Sequence, residues 1–261
     1  MRLPLYQIDA FTDRAFAGNP AAVIPLYDWL PDEVLQAIAE ENHLSETAFF
    51  VPIDRGIFQL RWFSPTTEVD LCGHATLASA HVLMANLGFS SADLVFQTRS
   101  GNLVVQRTGE GSYAMNFPAR PPTAIETPSL LSKALGAEPE AVLVSDDYVV
   151  VYRSEADILA VRPNMIALCE LDLRGVAITA PGTRHDFVAR FFGPKVGVPE
   201  DPVTGSAYTA LAPYWAKRIG KTRLHAAQVS TRGGEMQCLV SDANVTIIGS
   251  AVTVLTGYMD L

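Results

Sequence analysis

Three side chains in this sequence have groups that can exchange protons near neutral pH, and each has a distinctive local setting. Glu46 opens the apolar run Glu46-Thr47-Ala48-Phe49-Phe50. A carboxylate beside an apolar strand is partly desolvated, which helps it to accept and return a proton. His74 directly follows a glycine, and Asp201 directly precedes a proline. These residue types in these settings favour general acid and base catalysis.

Each of the three residues also has a structural interpretation. Glu46 is equally consistent with an edge-strand glutamate that faces water. Asp201 fits a turn before its proline, or a carboxylate that stabilises the start of a helix. A lone histidine at a helix start is more often structural, but His74 has a positional counterpart later in the chain. That counterpart favours a functional role for His74.

His74 has a counterpart, Ser206, because the chain contains the same kind of segment twice. The first copy runs from Arg61-Trp62-Phe63-Ser64-Pro65 to Cys72-Gly73-His74-Ala75, and the second from Arg190-Phe191-Phe192-Gly193-Pro194 to Thr204-Gly205-Ser206-Ala207. Each predicts a strand, a polar loop and a helix with hardly any charge, which must be buried on all sides. The amino end of such a helix presents backbone N–H groups that need an anion or another acceptor. Two such ends predict a two-lobed molecule that holds one small anionic ligand between its lobes.

The two glycines are candidate ligand-binding positions. Gly73 and Gly205 allow a ligand to approach the backbone closely. The side chain after each glycine, His74 or Ser206, can hydrogen-bond that ligand or shuttle a proton. A nucleophilic serine is disfavoured, because Thr-Gly-Ser-Ala lacks the Gly-x-Ser-x-Gly pattern of a nucleophile elbow.

Cys72 and Thr204 also occupy matching positions. Two facing thiols would give a cofactor-free racemase with two bases. A threonine hydroxyl cannot act as a carbon base at neutral pH without strong activation, so that mechanism is not available here. The sequence therefore predicts that Cys72 is a packing residue.

The composition restricts the class of protein and its partners. With 49% hydrophobic and 18% charged residues, the 261-residue chain has the material for packed cores. Its net charge of −9 argues against a nucleic-acid partner or an anionic membrane. We find no signal-peptide pattern and no apolar stretch long enough to span a bilayer. We therefore expect a cytoplasmic protein with a small anionic metabolite as its substrate.

The sequence also gives no indication of a cofactor or a metal. It has no Gly-x-Gly-x-x-Gly after a strand and no Gly-Lys-Ser/Thr phosphate loop. The three cysteines, Cys72, Cys169 and Cys238, are scattered and include no Cys-x-x-Cys pair. That pattern indicates free thiols in a reducing compartment and makes a structural zinc site unlikely. We expect neither a cofactor nor a metal.

The predicted elements indicate an α+β fold with many antiparallel strands and one central helix in each half, without alternating β–α–β units. The first buried helix is expected over residues 73–86 and the second from Gly205. Residues 118–123, Pro118-Ala119-Arg120-Pro121-Pro122-Thr123, predict a linker between lobes at residues 1–117 and 124–249. Separate strands are predicted at residues 244–248 and 251–258.

Five motifs occur along the chain: Ile8-Asp9-Ala10-Phe11-Thr12, Gly18-Asn19-Pro20-Ala21-Ala22-Val23, Leu44-Ser45-Glu46-Thr47, Leu71-Cys72-Gly73-His74-Ala75-Thr76 and Glu200-Asp201-Pro202-Val203-Thr204-Gly205-Ser206-Ala207. Together they resemble the PhzF-like phenazine-biosynthesis isomerase family, in the right order and over nearly the whole chain. The resemblance implies a fold similar to that of diaminopimelate epimerase. That fold has two pseudo-symmetric lobes, each a mostly antiparallel β-sheet rolled around one central helix, with the active site in the cleft. It also implies that the final strand, about residues 250–261, completes the first lobe, and that the protein is a homodimer.

The resemblance implies a role for each matched residue. Glu46 corresponds to the catalytic proton-shuttling glutamate, and His74 and Asp201 correspond to residues that assist it. The family's defined reaction is the isomerisation of trans-2,3-dihydro-3-hydroxyanthranilate without a cofactor. The Cys-Gly-His form seen here resembles the broad, poorly defined branch of the family. The predicted substrate-binding residues are Gly73, Gly205, Ser206, Ser45 and Asn19.

We therefore expect a cofactor-independent isomerase that moves a proton on a small carboxylate-bearing substrate similar to a cyclic amino acid. The first alternative is an amino acid epimerase or racemase that uses carboxylates instead of thiols. The second is a non-catalytic protein that binds a metabolite or another protein, because a binding cleft uses the same helix-end chemistry.

Overall fold

The computed structural model describes all residues, 1–261, and divides into two compact units. Unit 1 comprises Met1–Asn116 and Ile248–Leu261, and unit 2 comprises Phe117–Ile247. Together they contain 17 strands and six α-helices. The predicted α+β class, with sheets rolled around central helices, is confirmed.

Unit 1 is a sheet that surrounds one buried helix. Its last strand, β17 (Asn244–Asp260), begins in unit 2 and then pairs antiparallel with the first strand of the chain. β8 also pairs with β17, so the row of strands returns to its start. The other elements are β1 (Arg2–Ala10), β2 (Asn19–Pro25), α1 (Asp32–Asn42), β3 (Glu46–Asp54), β4 (Ile57–Phe63), β5 (Glu68–Val69), α2 (Gly73–His81), β6 (Asp93–Thr98), β7 (Gly101–Gly109) and β8 (Ser112–Pro118).

Unit 2 repeats much of this pairing pattern. In unit 1, β2 and β3 are parallel, β3 and β4 are antiparallel, and β4 is parallel to β6. In unit 2 the same sequence of pairings recurs as β11 with β12, β12 with β13, and β13 with β15. The elements are β9 (Thr123–Ile125), α3 (Ser129–Leu135), β10 (Ala141–Val144), β11 (Tyr148–Val151), α4 (Glu155–Ala160), α5 (Met165–Cys169), β12 (Val176–Pro181), β13 (Phe187–Gly193), β14 (Val198–Asp201), α6 (Tyr208–Ile219), β15 (Arg223–Gln228) and β16 (Gly234–Val240).

The central helix of unit 1 is buried because its sequence has almost no polar face. Every residue from 74 to 81 is buried, and α2 contacts β1, β2, β3 and β7. Its two hydroxyls are satisfied within the helix: Thr76 Oγ1 donates to Cys72 O at 2.6 Å and Ser79 Oγ to Ala75 O at 2.8 Å. A π-helical turn, Val82–Asn86, completes the helix predicted over residues 73–86.

The central helix of unit 2 starts with a 3₁₀ turn, Gly205–Ala207, which leads directly into α6. Trp215 of α6 is fully buried, stacks on Phe187 of β13, and donates from Nε1 to Thr179 Oγ1 at 2.9 Å. The indole thus packs its apolar body while its one polar group is paired. Only the last turn of α6 carries charges, at Lys217 and Arg218.

An arginine at the start of each repeated segment holds the polar loop before the helix. Arg61 of β4 forms a bidentate pair with Glu68, at 2.7 Å from both Nε and Nη2. Arg190 of β13 does the same with Glu200, at 2.8 and 3.0 Å. Such planar paired hydrogen bonds fix geometry as well as charge. The acidic stretches before the two helices are therefore structural at these glutamates.

The structure corrects two sequence predictions and adds one helix that was not predicted. The strands predicted at residues 244–248 and 251–258 are one continuous strand, β17. Parallel β–α–β crossovers, expected to be absent, occur at β2–α1–β3 and β4–α2–β6, because each helix returns the chain beside its starting strand. The short helix α4, capped by Ser154 Oγ accepting from Asp157 N, was not predicted.

None of the six helices is both long enough and apolar enough to cross a membrane.

Candidate active site

Three elements of unit 1 bring the predicted acid and base residues together. Asn19 opens β2, Glu46 opens β3, and Gly73 and His74 open α2. Because β2 and β3 are parallel, with Ala21 opposite Glu46, both strands begin at the same edge of the sheet. The starts of these two strands and of the buried helix therefore form one cluster of polar groups.

Gly18 is required for the entry into β2. Its φ of +65° is in the left-handed region, and a Cβ at this position would lie 2.1 Å from Ala10 O. Any other residue would be strained and would collide with the backbone of β1. The glycine thus allows the chain to place the fully buried Asn19 beside the helix start.

The central contact of the cluster joins His74 and Glu46. His74 Nε2 lies 3.1 Å from Glu46 Oε2, and the two side chains are only 7% and 16% exposed. The atoms are close enough for an ion pair, but their angles do not make a hydrogen bond, so Glu46 Oε2 is buried without a hydrogen-bond partner. A buried polar atom in that state is rare, and a catalytic role is one of its physical explanations.

Asn19 and Ser45 support the imidazole from its other side. Asn19 Nδ2 lies 3.3 Å from His74 Nδ1, and Ser45 Oγ donates to Asn19 Oδ1 at 3.1 Å. The Asn19 amide can rotate to present either its oxygen or its NH₂ group, and the Ser45 hydroxyl can donate or accept. This pair can therefore support both the neutral and the protonated form of His74.

Cys72 also belongs to this cluster. Its Sγ lies 3.5 Å from His74 Nδ1 and 4.0 Å from Nε2, and the residue is 6% exposed. Burial, together with the charge of Glu46, raises the pKa of the Cys72 thiol to about 11. The thiol is therefore uncharged at neutral pH. The prediction that Cys72 is a packing residue did not include this contact between its thiol and the imidazole of His74.

The pKa of His74 is raised well above its usual value. Burial opposes the charged imidazolium, but the neighbouring Cys72 and Glu46 outweigh burial. Because the Cys72 thiol is uncharged at neutral pH, the Glu46 carboxylate is the charge that retains the His74 proton there. Glu46 and His74 thus form a carboxylate–imidazolium pair in a nearly dry setting.

The cluster also contains donors that suit a metal. One ligand atom each from Glu46, Cys72 and His74 lie within 4.8 Å of one another. The sequence predicts no metal site, because it contains no Cys-x-x-Cys pair. The three residues come from two separate segments, so their proximity could not be seen in the sequence.

Asp201 in unit 2 is part of a polar network at the end of β14. Thr204 Oγ1 donates to Asp201 Oδ2 at 2.6 Å, and Gln228 Nε2 donates to Asp201 O at 2.8 Å. Gln228 Oε1 in turn accepts from Thr204 N at 2.9 Å. Gln228 is almost fully buried and was not predicted to contribute. This network holds the carboxylate and the start of the second central helix in a fixed relation.

Ser206 is positioned by an arginine that the sequence analysis missed. Arg174 Nη2 donates to Ser206 Oγ at 3.0 Å, while its Nε and Nη2 each donate to Asp147 at 2.9 Å. Because the Ser206 oxygen accepts from Arg174, its hydrogen is available for donation to a ligand. Asp147 is 5% exposed and Gly205 is buried. No signal in Leu173-Arg174-Gly175 identified Arg174, since its role depends on tertiary packing.

The predicted site residues thus form two clusters, one in each unit. Unit 1 brings together Glu46, His74, Gly73, Ser45 and Asn19. Unit 2 contains Asp201, Gly205 and Ser206, with Asp201 and Ser206 on separate hydrogen-bond networks. Their roles in catalysis and binding stay predictions.

Comparisons with known proteins identify the family. Residues 8–257 match the PhzC-PhzF family model, described as phenazine biosynthesis-like protein. An uncharacterized isomerase of Pseudomonas aeruginosa is 55% identical over 261 residues, 100% of both chains. A crystal structure of a PhzF-family phenazine biosynthesis protein from Enterococcus faecalis is similar with a TM-score of 0.97 and 44% identity, over 100% of both chains.

A more distant structure extends the likeness of fold. A predicted epimerase from Pseudomonas aeruginosa has a TM-score of 0.75 at 19% identity, over 98% of this chain and 99% of the other. The epimerase-like fold expected from the sequence is thereby confirmed. The family match covers most of the chain, and the close relatives match it from end to end. The chain therefore belongs to the PhzC-PhzF family of phenazine biosynthesis-like proteins.

Proposed function

We propose that this protein is a cofactor-independent isomerase that moves a proton on a small, carboxylate-bearing substrate related to a cyclic amino acid. The observation that carries the proposal is Glu46 Oε2, which is buried, accepts no hydrogen bond and lies 3.1 Å from His74 Nε2. An oxygen in this state has lone pairs available for a proton. The name of the Pseudomonas aeruginosa relative, an uncharacterized isomerase, supports the reaction class.

Glu46 performs the proton transfer in this proposal. Its carboxylate takes a proton from a carbon that a neighbouring group has acidified, and the C–H electron pair moves into the substrate's conjugated system. The resulting carboxylic acid then gives the proton to a second carbon, which regenerates the carboxylate. One C–H bond breaks and one forms, and no electrons enter or leave. Neither an oxidant nor a reductant is needed.

His74 assists Glu46 in both steps. As an imidazolium it can donate from Nε2 to negative charge that develops on the substrate. Asn19 and Ser45 hold the ring on its opposite edge. The buried setting strengthens these interactions because few competing water dipoles are present.

In unit 2, we assign ligand binding to Gly205 and Ser206 and a proton-exchanging role to Asp201. The Ser206 hydroxyl, fixed as an acceptor from Arg174, can donate to a carboxylate. Backbone N–H groups at the start of a buried helix favour the same kind of ligand. The homodimer and the cytoplasmic location stay predictions.

The second candidate function is an epimerase that uses carboxylates. The observation in its favour is that the matching segment of unit 2 also contains a carboxylate, Asp201, hydrogen-bonded beside a helix start. An epimerase would exchange a proton at a stereocentre without shifting a double bond.

Proton NMR in D₂O tests both candidates. We would incubate trans-2,3-dihydro-3-hydroxyanthranilate, and then a panel of cyclic α-amino acids, with the wild type, Glu46→Gln and the control Glu41→Gln. Glu41 is an exposed glutamate of α1. Isomerisation with the wild type and the control, but not with Glu46→Gln, is the expected result.

The other outcomes are equally informative. Deuterium at a stereocentre with loss of optical activity and no double-bond shift would favour the epimerase. Undiminished isomerisation by Glu46→Gln would remove Glu46 from the mechanism. Binding without any exchange across the panel would overturn both candidates and favour a non-catalytic protein.

A further inference from the structure

We propose that Glu46, Cys72 and His74 form a binding site for a thiophilic divalent cation, for which zinc is the best match. The three residues supply a carboxylate oxygen, a sulfur and an imidazole nitrogen within 4.8 Å of one another. Zinc accepts all three donor types, and three protein ligands with a fourth position open is its arrangement in exchangeable sites. Calcium and magnesium prefer oxygen ligands alone, so this donor set does not suit them.

The distances are close to those of a tetrahedral site. Zinc–ligand bonds of about 2.0–2.3 Å place neighbouring ligand atoms roughly 3.3–3.7 Å apart. Glu46 Oε2 and His74 Nε2 are 3.1 Å apart, and Cys72 Sγ and His74 Nε2 are 4.0 Å apart. The widest separation of 4.8 Å exceeds the tetrahedral value by about 1 Å. The three ligand atoms would therefore have to move closer together when the ion binds.

The lack of a hydrogen-bond partner for Glu46 Oε2 is a second, independent observation. This oxygen is buried and accepts no hydrogen bond, although His74 Nε2 lies beside it. The positive charge beside this oxygen comes from the His74 imidazolium, and a bound dication would supply that charge in its place. The same atom that the isomerase needs for a proton is therefore suited to a metal.

The surroundings of His74 resemble the outer layer of a metal site. A metal-bound histidine usually holds its other ring nitrogen in a hydrogen bond. Asn19 lies 3.3 Å from His74 Nδ1 and is itself bonded to Ser45. With its amide rotated, Asn19 would accept from Nδ1–H while Nε2 binds the cation.

The charges balance when the cation binds. Zn²⁺ displaces two protons, one from the Cys72 thiol and one from Nε2 of the His74 imidazolium; both leave to solvent as H⁺, and Zn–S and Zn–N bonds form. The dication, the thiolate and the Glu46 carboxylate then sum to zero, with His74 neutral. The cation supplies the positive charge that a buried thiolate needs.

This site would regulate the activity rather than support it, a consequence that rests on the proposed function. Zinc and the substrate proton require the same lone pairs on Glu46 and the same face of His74. Occupancy by zinc and proton transfer are therefore mutually exclusive, and zinc would act as an inhibitor.

Cobalt(II) titration tests the site without any substrate. The reduced, EDTA-treated full-length protein is titrated anaerobically with cobalt(II), which reports thiolate ligation through a near-ultraviolet charge-transfer band. We expect one equivalent to give this band, with intense visible bands of a tetrahedral ion, and zinc to abolish them. Cys72→Ser should lose the charge-transfer band, whereas the control Cys169→Ser, which removes an exposed thiol, should keep it.

Further variants keep the test decisive. Glu46→Gln and His74→Gln should weaken cobalt binding by at least about 10-fold, and Asn19→Ala by about 10-fold. Circular dichroism checks that each variant is folded, and Glu46→Gln replaces Cys72→Ser as the key variant if the latter does not fold. A missing band, a band that survives in Cys72→Ser, or a band lost in Cys169→Ser would overturn the proposal. Because cobalt binding needs no turnover, its failure is distinguishable from failure of the proposed isomerisation.

Discussion

The two central helices begin in matching segments, yet the chemistry at their starts differs. The start of α2 in unit 1 has a thiol, an imidazole and the carboxylate of Glu46, with Nε2 to Oε2 at 3.1 Å. The corresponding turn in unit 2 has the hydroxyls of Thr204 and Ser206, each already in a hydrogen bond. Unit 1 therefore has groups that can give up or take up a proton, whereas Ser206 in unit 2 offers a fixed donor.

The two repeated segments share the interactions that hold the strand, the loop and the helix start in place. Each segment has a bidentate arginine–glutamate pair, Arg61–Glu68 or Arg190–Glu200, between the strand and the loop. In each central helix a buried threonine hydroxyl also donates a hydrogen bond to a backbone carbonyl oxygen, as Thr76 and Thr209 do. The comparison teaches that one scaffold can position either proton-transfer groups or ligand-binding groups, because the support does not depend on the side chain after the glycine.

The largest expected difference between the two units is in turnover. Glu46→Gln should lower kcat by about 10²–10⁴-fold, the usual share of a general acid or base. Asp201→Asn should cost no more than about 10²-fold, because its Oδ2 is already engaged by Thr204 at 2.6 Å. Initial rates of proton exchange, followed by NMR, measure both. Equal losses would mean that both units share the proton transfer and would break the comparison.

Removal of the supporting arginines should affect stability unequally. Arg190 is 9% exposed and also donates to two backbone carbonyls, so Arg190→Ala should cost about 3–5 kcal/mol. Arg61→Ala should cost about 1–2 kcal/mol, because Arg99 remains 2.6 Å from Glu68. Urea unfolding of both variants provides the free energies. A larger loss for Arg61→Ala would contradict the assignment of Arg190 as the more deeply integrated support.

The loss of folding stability at low pH should arise mainly at α2 of unit 1. This helix contains two buried histidines, whereas α6 of unit 2 contains none. Burial, followed by the charge of Arg107, lowers the pKa of His81 to about 4. A group whose pKa is lower in the folded state stabilises the fold above its unfolded value, near 6.5, and loses that contribution as the pH falls toward 4. The full loss is on the order of 3 kcal/mol.

The hydrogen bonds of His81 explain why it stays neutral. Thr253 Oγ1 donates to Asn86, so it accepts from His81 Nε2, and Tyr113 OH is left to donate to Nδ1. His81→Gln should therefore flatten the stability curve between pH 6.5 and 4 relative to the wild type, measured by urea unfolding at each pH. His74 works in the opposite direction, because its pKa is raised: its contribution is present below pH 6.5 and is lost as the pH rises through the folded-state value. If the free energy of unfolding of His81→Gln falls with pH as steeply as that of the wild type, another group causes the acid sensitivity.

The smallest expected effect concerns ligand binding in unit 2. Ser206→Ala removes one donor and should raise KM about 10-fold with kcat nearly unchanged, as expected for the loss of uniform binding. Arg174→Lys should have a similar effect, because lysine cannot reproduce the forked contact with Asp147 and Ser206. A fall in kcat without a change in KM would give Ser206 a role in the chemical step.

The sequence predicted the two central helices well, and the reason is physical. A run such as Ala75 to Ala80 has no polar face, so only full burial satisfies it, and its boundaries can be read from composition. The contact between Glu46 and His74 was not predictable in the same way. It depends on how the start of α2 packs beside the start of β3, which no local pattern specifies.

The missed residues have the same explanation. Arg174 and Gln228 acquire their roles only when segments distant in sequence meet. The contact of Cys72 was missed for a different reason: the match between Cys72 and Thr204 indicates only that two facing thiols are absent, and says nothing of what a single thiol contacts. Its neighbour, the imidazole of His74, is two residues away along the chain.

The long strand β17 affects how the protein can fold while it is being synthesised on the ribosome. Residues 248–260 complete unit 1 by pairing with β1, from Arg2 opposite Asp260 to Ala10 opposite Ala251. During translation, unit 2 emerges in full before this segment does, so it can fold while unit 1 still lacks a strand. The edge of β1 that pairs with β17 therefore stays uncovered until residues 248–260 have been synthesised. A stalled or truncated chain would expose that edge to aggregation, and an early-binding chaperone would protect it.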